Sequence, residues 1–116
     1  MKVALVTENG RVAGRYGRCS ELVLVNIEGK RVLEWDEFPC PGSQPGLLAS
    51  FLSEHGVTWL IAGELEAETK DLLRARGVKS LTGVEGPLEK VLWAFLEGSL
   101  RSEGSTEARF AGGAGR

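Results

Sequence analysis

Two cysteines, one histidine and two closely spaced arginines are the residues of this chain best equipped for chemistry. Cys19, Cys40 and His55 are its only thiol and imidazole groups. Iron–sulfur chemistry uses thiolates, usually several, with imidazole as a second choice. Both cysteines fall in stretches without hydrophobic periodicity. If those loops converge, two thiolates and the Arg18 guanidinium could hold an anionic cluster transiently. Against this stands the behaviour of cysteine as a small buried hydrophobe. The spacing of the pair matches no zinc or thioredoxin-type motif. In a reducing cytosol the expected state is two free thiols, not a disulfide. Arg15 and Arg18 bracket Tyr16-Gly17, and Gly14, Gly17 and Gly42 would let a backbone approach a ligand closely. That composition suits a small anion, and equally a solvated loop with ordinary turn glycines. His55 sits where a helix should end, so capping that end explains it better than ligation.

Other chemistries find less support. Two-metal nuclease chemistry needs clustered carboxylates, typically including one on the first strand, and Lys2 to Thr7 has none. Glu66 and Glu68 read as acids of a helix N-terminus. Cys19 with His55 is the only conceivable nucleophile–base pair, and no acid is placed to orient the imidazole. Phosphate-loop and dinucleotide fingerprints are absent. Lysine and arginine total 14 against 16 acids, scattered along the chain, so neither nucleic acid nor an anionic membrane is an expected partner. No apolar stretch approaches the ~20 residues of a membrane span. Met1 to Thr7 reads as a first strand rather than a signal peptide, which makes the cytoplasm the expected location.

The elements that must position these residues follow from the patterning. Lys2–Thr7 is an apolar strand that stops at the turn dipeptide Asn9-Gly10, after which Arg11-Val12-Ala13 pairs back briefly at most. Glu21–Ile27 is a strand apolar on both faces. Glu28-Gly29-Lys30 turns it into Arg31–Phe38, whose partial alternation suggests an edge strand with one wet face. Pro39 to Gly46, with three prolines and two glycines, is a loop. Leu47, Leu48, Phe51 and Leu52 form one helical stripe, closed by Gly56. Thr58–Ala62 is a short buried strand. Gly63-Glu64-Leu65-Glu66 leads into a helix through about Arg76 that carries Leu65, Leu72 and Leu73 inward. Val78–Thr82 is the last strand. Pro87 opens a final helix with Leu88, Val91, Leu92, Phe95 and Leu96 buried. Trp35, Trp59 and Trp93 read as core or edge packing, with Trp35 able to anchor a partner or a second copy. The order β-β-β-α-β-α-β-α predicts one mixed, five-stranded sheet flanked by three helices.

Several strings in this order resemble the dinitrogenase iron–molybdenum cofactor biosynthesis family. They are Lys2-Val3-Ala4-Leu5-Val6-Thr7 with Glu8-Asn9-Gly10, the loop Tyr16-Gly17-Arg18-Cys19, the hairpin Ile27-Glu28-Gly29-Lys30, His55-Gly56-Val57 with Leu60-Ile61-Ala62-Gly63, Gly77-Val78, and Val91 to Gly98. The resemblance implies a ribonuclease H-like α/β fold over residues 1–100; residues 101–116, small, polar and glycine-rich, are expected from their composition to form a flexible tail. It also implies a non-enzymatic carrier of an iron–sulfur or iron–molybdenum cluster. Arg15 stands where the family usually has His. The proline-rich loop carries Cys40 and Gln44 where a His is common. Gly63-Glu64-Leu65-Glu66 replaces a Gly-Gly-Met-Gly-like turn. The ligand rim this implies is Arg15, Tyr16, Gly17, Arg18, Cys19 and Cys40, with Cys19 and Cys40 as the metal ligands. A metal-free protein–protein adaptor or regulatory module, with Trp35 governing association, is the other reading.

Overall fold

The computed structural model describes residues 1–42 and 44–98. The expected tail over 101–116 lies outside the described residues. Six strands and three helices follow in order: β1 (Lys2–Glu8), β2 (Arg11–Val12), β3 (Glu21–Glu28), β4 (Arg31–Pro39), α1 (Pro45–Glu54), β5 (Trp59–Ile61), α2 (Ala67–Ala75), β6 (Lys79–Leu81) and α3 (Leu88–Glu97). The sheet is mixed, with the order β4-β3-β1-β5-β6 and β2 paired to β1 off that path. β1 is antiparallel to β3 and parallel to β5, and β5 is parallel to β6.

The expected strand count of five is therefore corrected to six. The addition is β2. Asn9 and Gly10 take φ of 55° and 78°, the left-handed pair that a tight hairpin turn requires. That turn folds Arg11 and Val12 back onto Glu8 and Thr7. Val12 is buried and Arg11 exposed, so the short strand is held by one apolar side chain and its pairing.

The sheet buries both faces. On one, Ala4, Val6, Leu22, Leu24, Leu60 and Ala62 pack under α1 and α2 through Leu48, Leu52 and Leu73. On the other, Val3, Leu5, Val23, Val25, Ile61 and Leu81 pack under α3 through Leu88, Val91 and Leu92. The continuous apolar runs of β1 and β3 have this cause: a strand covered on both sides does not alternate.

Four details differ from expectation. Leu47 is exposed, on the flank of a stripe whose centre is Leu48 and Leu52, and α1 begins at Pro45, inside the segment expected to be loop, because the first turn of a helix tolerates proline. α2 starts at Ala67, so Leu65, expected on its inward face, lies in the loop of residues 62–66 that leads into it. Trp93 is 60% exposed and not packed in the core. β4 has no dry face along most of its length, since every residue from Arg31 to Glu37 is exposed. The helices cover the inner strands of the sheet and stop short of it.

Among the described residues no helix is long and apolar enough to cross a membrane. His55 caps α1 as its position suggests. Its Nδ1 lies 2.8 Å from the Phe51 carbonyl, and the ring stacks on Phe51 with centroids 4.1 Å apart.

Candidate functional site

The carboxyl ends of β1 and β5 lie side by side, and the loops that leave them form the site. This is the end of a mixed α/β sheet where neighbouring strands send their loops apart and leave a crevice. The loop after β2 is tied to β1: the Ser20 N–H and Oγ both donate to the Thr7 carbonyl, at 2.8 and 3.1 Å, and Thr7 Oγ1 donates to the Glu21 carbonyl at 3.0 Å. Residues 16–18 form a single 3₁₀ turn. The loop after β5 pairs with this segment through its backbone. The Glu64 N–H donates to the Gly14 carbonyl at 2.8 Å, and the Tyr16 N–H donates to the Glu64 carbonyl at 3.2 Å.

Gly63 makes that pairing feasible. A Cβ there would run into the carbonyls of Ala13 and Gly14. Gly14 and Gly17, picked out from the sequence for close approach, have open space around their Cα atoms and ordinary φ angles. Gly42 does need its freedom, at a φ of 128°.

Between the two loops lies a cavity of about 500 Å³ lined by Arg15, Tyr16, Gly17, Glu64, Leu65, Glu66 and Thr69, within the size range of small-molecule sites. The structure thus brings three of the sequence-predicted residues, Arg15, Tyr16 and Gly17, to one wall. The opposite wall was not among the predicted site residues. Its signal was present in the sequence: a Gly-Glu-Leu-Glu turn directly after a buried strand, at the end of the sheet where α/β ligands bind.

Arg18 lies off the cavity. Its Nε is 3.4 Å from Glu8 Oε1, and both side chains are substantially exposed, so the pair contributes little to stability. The cavity lining therefore carries one guanidinium and two carboxylates, instead of the two cations expected from the loop sequence.

Cys19 and Cys40 are joined in a disulfide, with Cα atoms 6.2 Å apart. This overturns the expectation of two free thiols. Antiparallel pairing of β3 with β4 sets Glu21 opposite Pro39, which carries the cysteine before β3 and the cysteine after β4 to the same end of the sheet. The bond ties the 3₁₀ loop to the proline-rich loop, and both cysteines pack against the α1/α2 side of the core with Phe38 and Phe51. Neither is among the cavity-lining residues. Among the described residues no three His, Cys, Asp or Glu side chains are grouped as they would be around a metal ion.

Tyr16 connects the cavity to the bridged loops. Its ring lines the cavity while its hydroxyl is buried without a hydrogen-bond partner. Burial raises its pKa above the ordinary tyrosine value, and the nearby Gly42 backbone opposes the rise without reaching hydrogen-bond geometry. The neutral phenol is thus favoured in the folded state. The unfolded chain ionises first, near pH 10, so folding stability is lost as pH rises above that point. Tyr16→Phe removes both the unpartnered hydroxyl and this titration. It is expected to be as stable as wild type or more so at neutral pH, by up to about 1 kcal/mol, with a shallower loss between pH 9 and 11 in urea unfolding monitored by fluorescence. A clear loss of stability at neutral pH would mean that the hydroxyl does have a partner.

The fold and the chain both have relatives. The structure superimposes on the crystal structure of PH0822 with a TM-score of 0.81 at 27% identity, covering 90% of this chain and 96% of that one. It matches the apo form of the orange protein from Desulfovibrio gigas with a TM-score of 0.75 at 20% identity, covering 90% and 93%. The Thermotoga protein TM1290, described as belonging to the DUF35 family, matches with a TM-score of 0.65 at 26% identity, covering 90% and 94%. No curated protein matches the sequence significantly. The family model described as dinitrogenase iron-molybdenum cofactor matches residues 1–98, every element from β1 to α3, and the chain belongs to that family.

Proposed function

We propose that this chain is a non-enzymatic carrier that holds a metal–sulfur cluster transiently at the rim made by Arg15, Tyr16, Gly17, Cys19 and Cys40. The observation that carries this reading is the meeting of Cys19 and Cys40 between two loops, beside a cavity at the carboxyl end of the sheet. A disulfide is not a ligand for iron, so the binding form is the reduced one. Two electrons and two protons from a dithiol reductant convert the bond to two thiols, and loss of the protons supplies two neighbouring thiolates. Electrostatics alone would not retain an anionic cluster, because Glu64 and Glu66 outweigh Arg15 in the lining. Thiolate ligation has to supply the affinity. Two ligands leave most cluster positions unfilled, which suits a cargo that is handed on rather than kept. The expected location is the cytoplasm, where thioredoxin- or glutathione-type thiols maintain the reduced state.

The test is anaerobic reconstitution of the reduced protein with ferrous iron and sulfide, followed by desalting and metal analysis. Wild type should retain iron, sulfide and charge-transfer absorbance. The double variant Cys19→Ser/Cys40→Ser should retain neither metal nor colour. Equal retention by both proteins, or none by wild type, would sink the reading. The alternative of a metal-free adaptor draws support from Trp35, which is 39% exposed on β4 beside exposed Val32 and Leu33. It predicts no retained iron.

A further inference from the structure

The two outer edges of the sheet are unpaired among the described residues, and they carry opposite charge. β4 forms one edge and β6 the other. On β4 the register sets Glu34 opposite Asn26 and Asp36 opposite Leu24, while Trp35 and Glu37 oppose Val25 and Val23. Residues directly opposite each other share a face. Glu34 and Asp36 therefore project on the side covered by α1 and α2, and Glu37 on the side covered by α3. At the other edge a groove of about 350 Å³ is lined by Lys70, Arg74 and Lys79, with no acid in its wall. Lys70 and Arg74 come from α2, on the α1/α2 side. Lys79 lies over the Trp59 ring at 5.4 Å, on the α3 side. Acids thus outnumber bases along β4, where Arg31 at its start is the single cation, and bases line the groove at the β6 edge.

We propose that the chain associates head to tail with a second copy of itself, the β4 edge of one molecule adding to the β6 edge of the next. Strand direction allows it. β3 runs against β1 and β4 runs against β3, so β4 points the same way as β1, β5 and β6. A copy displaced sideways within the sheet plane presents β4 parallel to β6 with like faces on the same side. Glu34 and Asp36 then meet Lys70 and Arg74, and Glu37 meets Lys79. The competing arrangement, two β4 edges about a two-fold axis, sets acids against acids and is disfavoured by charge. Two β6 edges set bases against bases. Charged edges commonly prevent strand addition; here each edge repels its own kind and attracts the other. β6 is only three residues long, and Arg74 already holds Asp71 at 2.9 Å, so the contact is weak and depends on concentration. It is also heterologous, so it does not close at a dimer.

Sedimentation velocity of the full chain over a concentration series tests this, with circular dichroism confirming that each variant folds. The weight-average sedimentation coefficient should keep rising beyond that of a dimer at low salt and collapse at ~0.5 M salt, where charges are screened within a few ångströms. The pairs Glu34→Lys/Asp36→Lys and Lys70→Glu/Arg74→Glu should each weaken self-association about tenfold or more. Mixing the two variants restores opposite charge at the contact and should restore association. A monomer at every concentration overturns the proposal. So does a salt-insensitive species that stops at a dimer, or association that survives either charge reversal.

Discussion

Gly63→Ala is expected to destabilise the protein by about 3 kcal/mol, the upper range for inserting a methyl group into packed surroundings. The melting temperature should fall by roughly 10–20 °C for a domain of this size. Two features make the site unforgiving. The Cβ would meet the backbone carbonyls of Ala13 and Gly14 rather than the end of a movable side chain. Gly63 also anchors its surroundings, because its carbonyl accepts the Gly83 N–H at 2.7 Å and the next residue donates to Gly14. Any shift that relieves the clash pulls the loop after β5 away from the loop after β2 and opens the cavity between them. Gly17→Ala is the matched control. Nothing lies within 4 Å of a Cβ at that position, so differential scanning calorimetry should find it within about 0.5 kcal/mol of wild type, the usual range for surface changes. Equal melting temperatures for Gly63→Ala and wild type would show that the two loops are not in the contact described.

Reduction of the Cys19–Cys40 bond is expected to cost about 3 kcal/mol, from the entropy that the cross-link removes from the unfolded chain. The cysteines are 21 residues apart in sequence, and the segment between them is the β3–β4 hairpin. The reduced protein should remain folded. Its core residues on β1, β3 and β5, including Leu5, Leu22, Leu60 and Ile61, are fully buried without help from the bond, and a chain of this length buries enough surface to fold without cross-links. Thermal melts with and without dithiothreitol measure the difference. Cys19→Ser/Cys40→Ser should melt at one temperature in both conditions, close to that of reduced wild type. If reductant shifts wild type no more than it shifts the double variant, the cysteines are not bonded in the oxidised protein. On the proposed function, the bond that stabilises the scaffold is also the one that must open to free the thiolates.

Much of the architecture was legible in the residues. The Asn9-Gly10 turn, the apolar runs of β1 and β3, the Glu28-Gly29-Lys30 hairpin, Pro87 at the start of α3 and the stripe Leu88, Val91, Leu92 are local signals, and each specifies its own element whatever surrounds it. β2 was the weak case, because two residues carry no period. The full exposure of β4 was hidden for another reason. Its sequence records how apolar its side chains are, not how far a helix elsewhere in the chain extends across the sheet, and Val32, Leu33 and Trp35 read as half-buried until α3 is seen to stop short of them.

The candidate site divides along the same line. The segment Arg15-Tyr16-Gly17 stood out by composition, and it does line the cavity. Arg18 stood out equally and turns toward Glu8 instead, an ion-pair partner supplied by the end of β1 that proximity in sequence does not reveal. The sequence by itself determined the elements, their order, the loops rich in glycine and arginine, and the family. Only the tertiary structure decided which loops meet: that Gly63 admits the Gly14 backbone, that Glu64 and Glu66 face Arg15 across a cavity, and that Cys19 bonds Cys40. Spacing along a chain states how far two residues can reach, and not whether strand pairing sets their loops at the same end of a sheet. The chemistry of this site depends on that placement, which comes from the β1, β3, β4 and β5 register and the core that holds it.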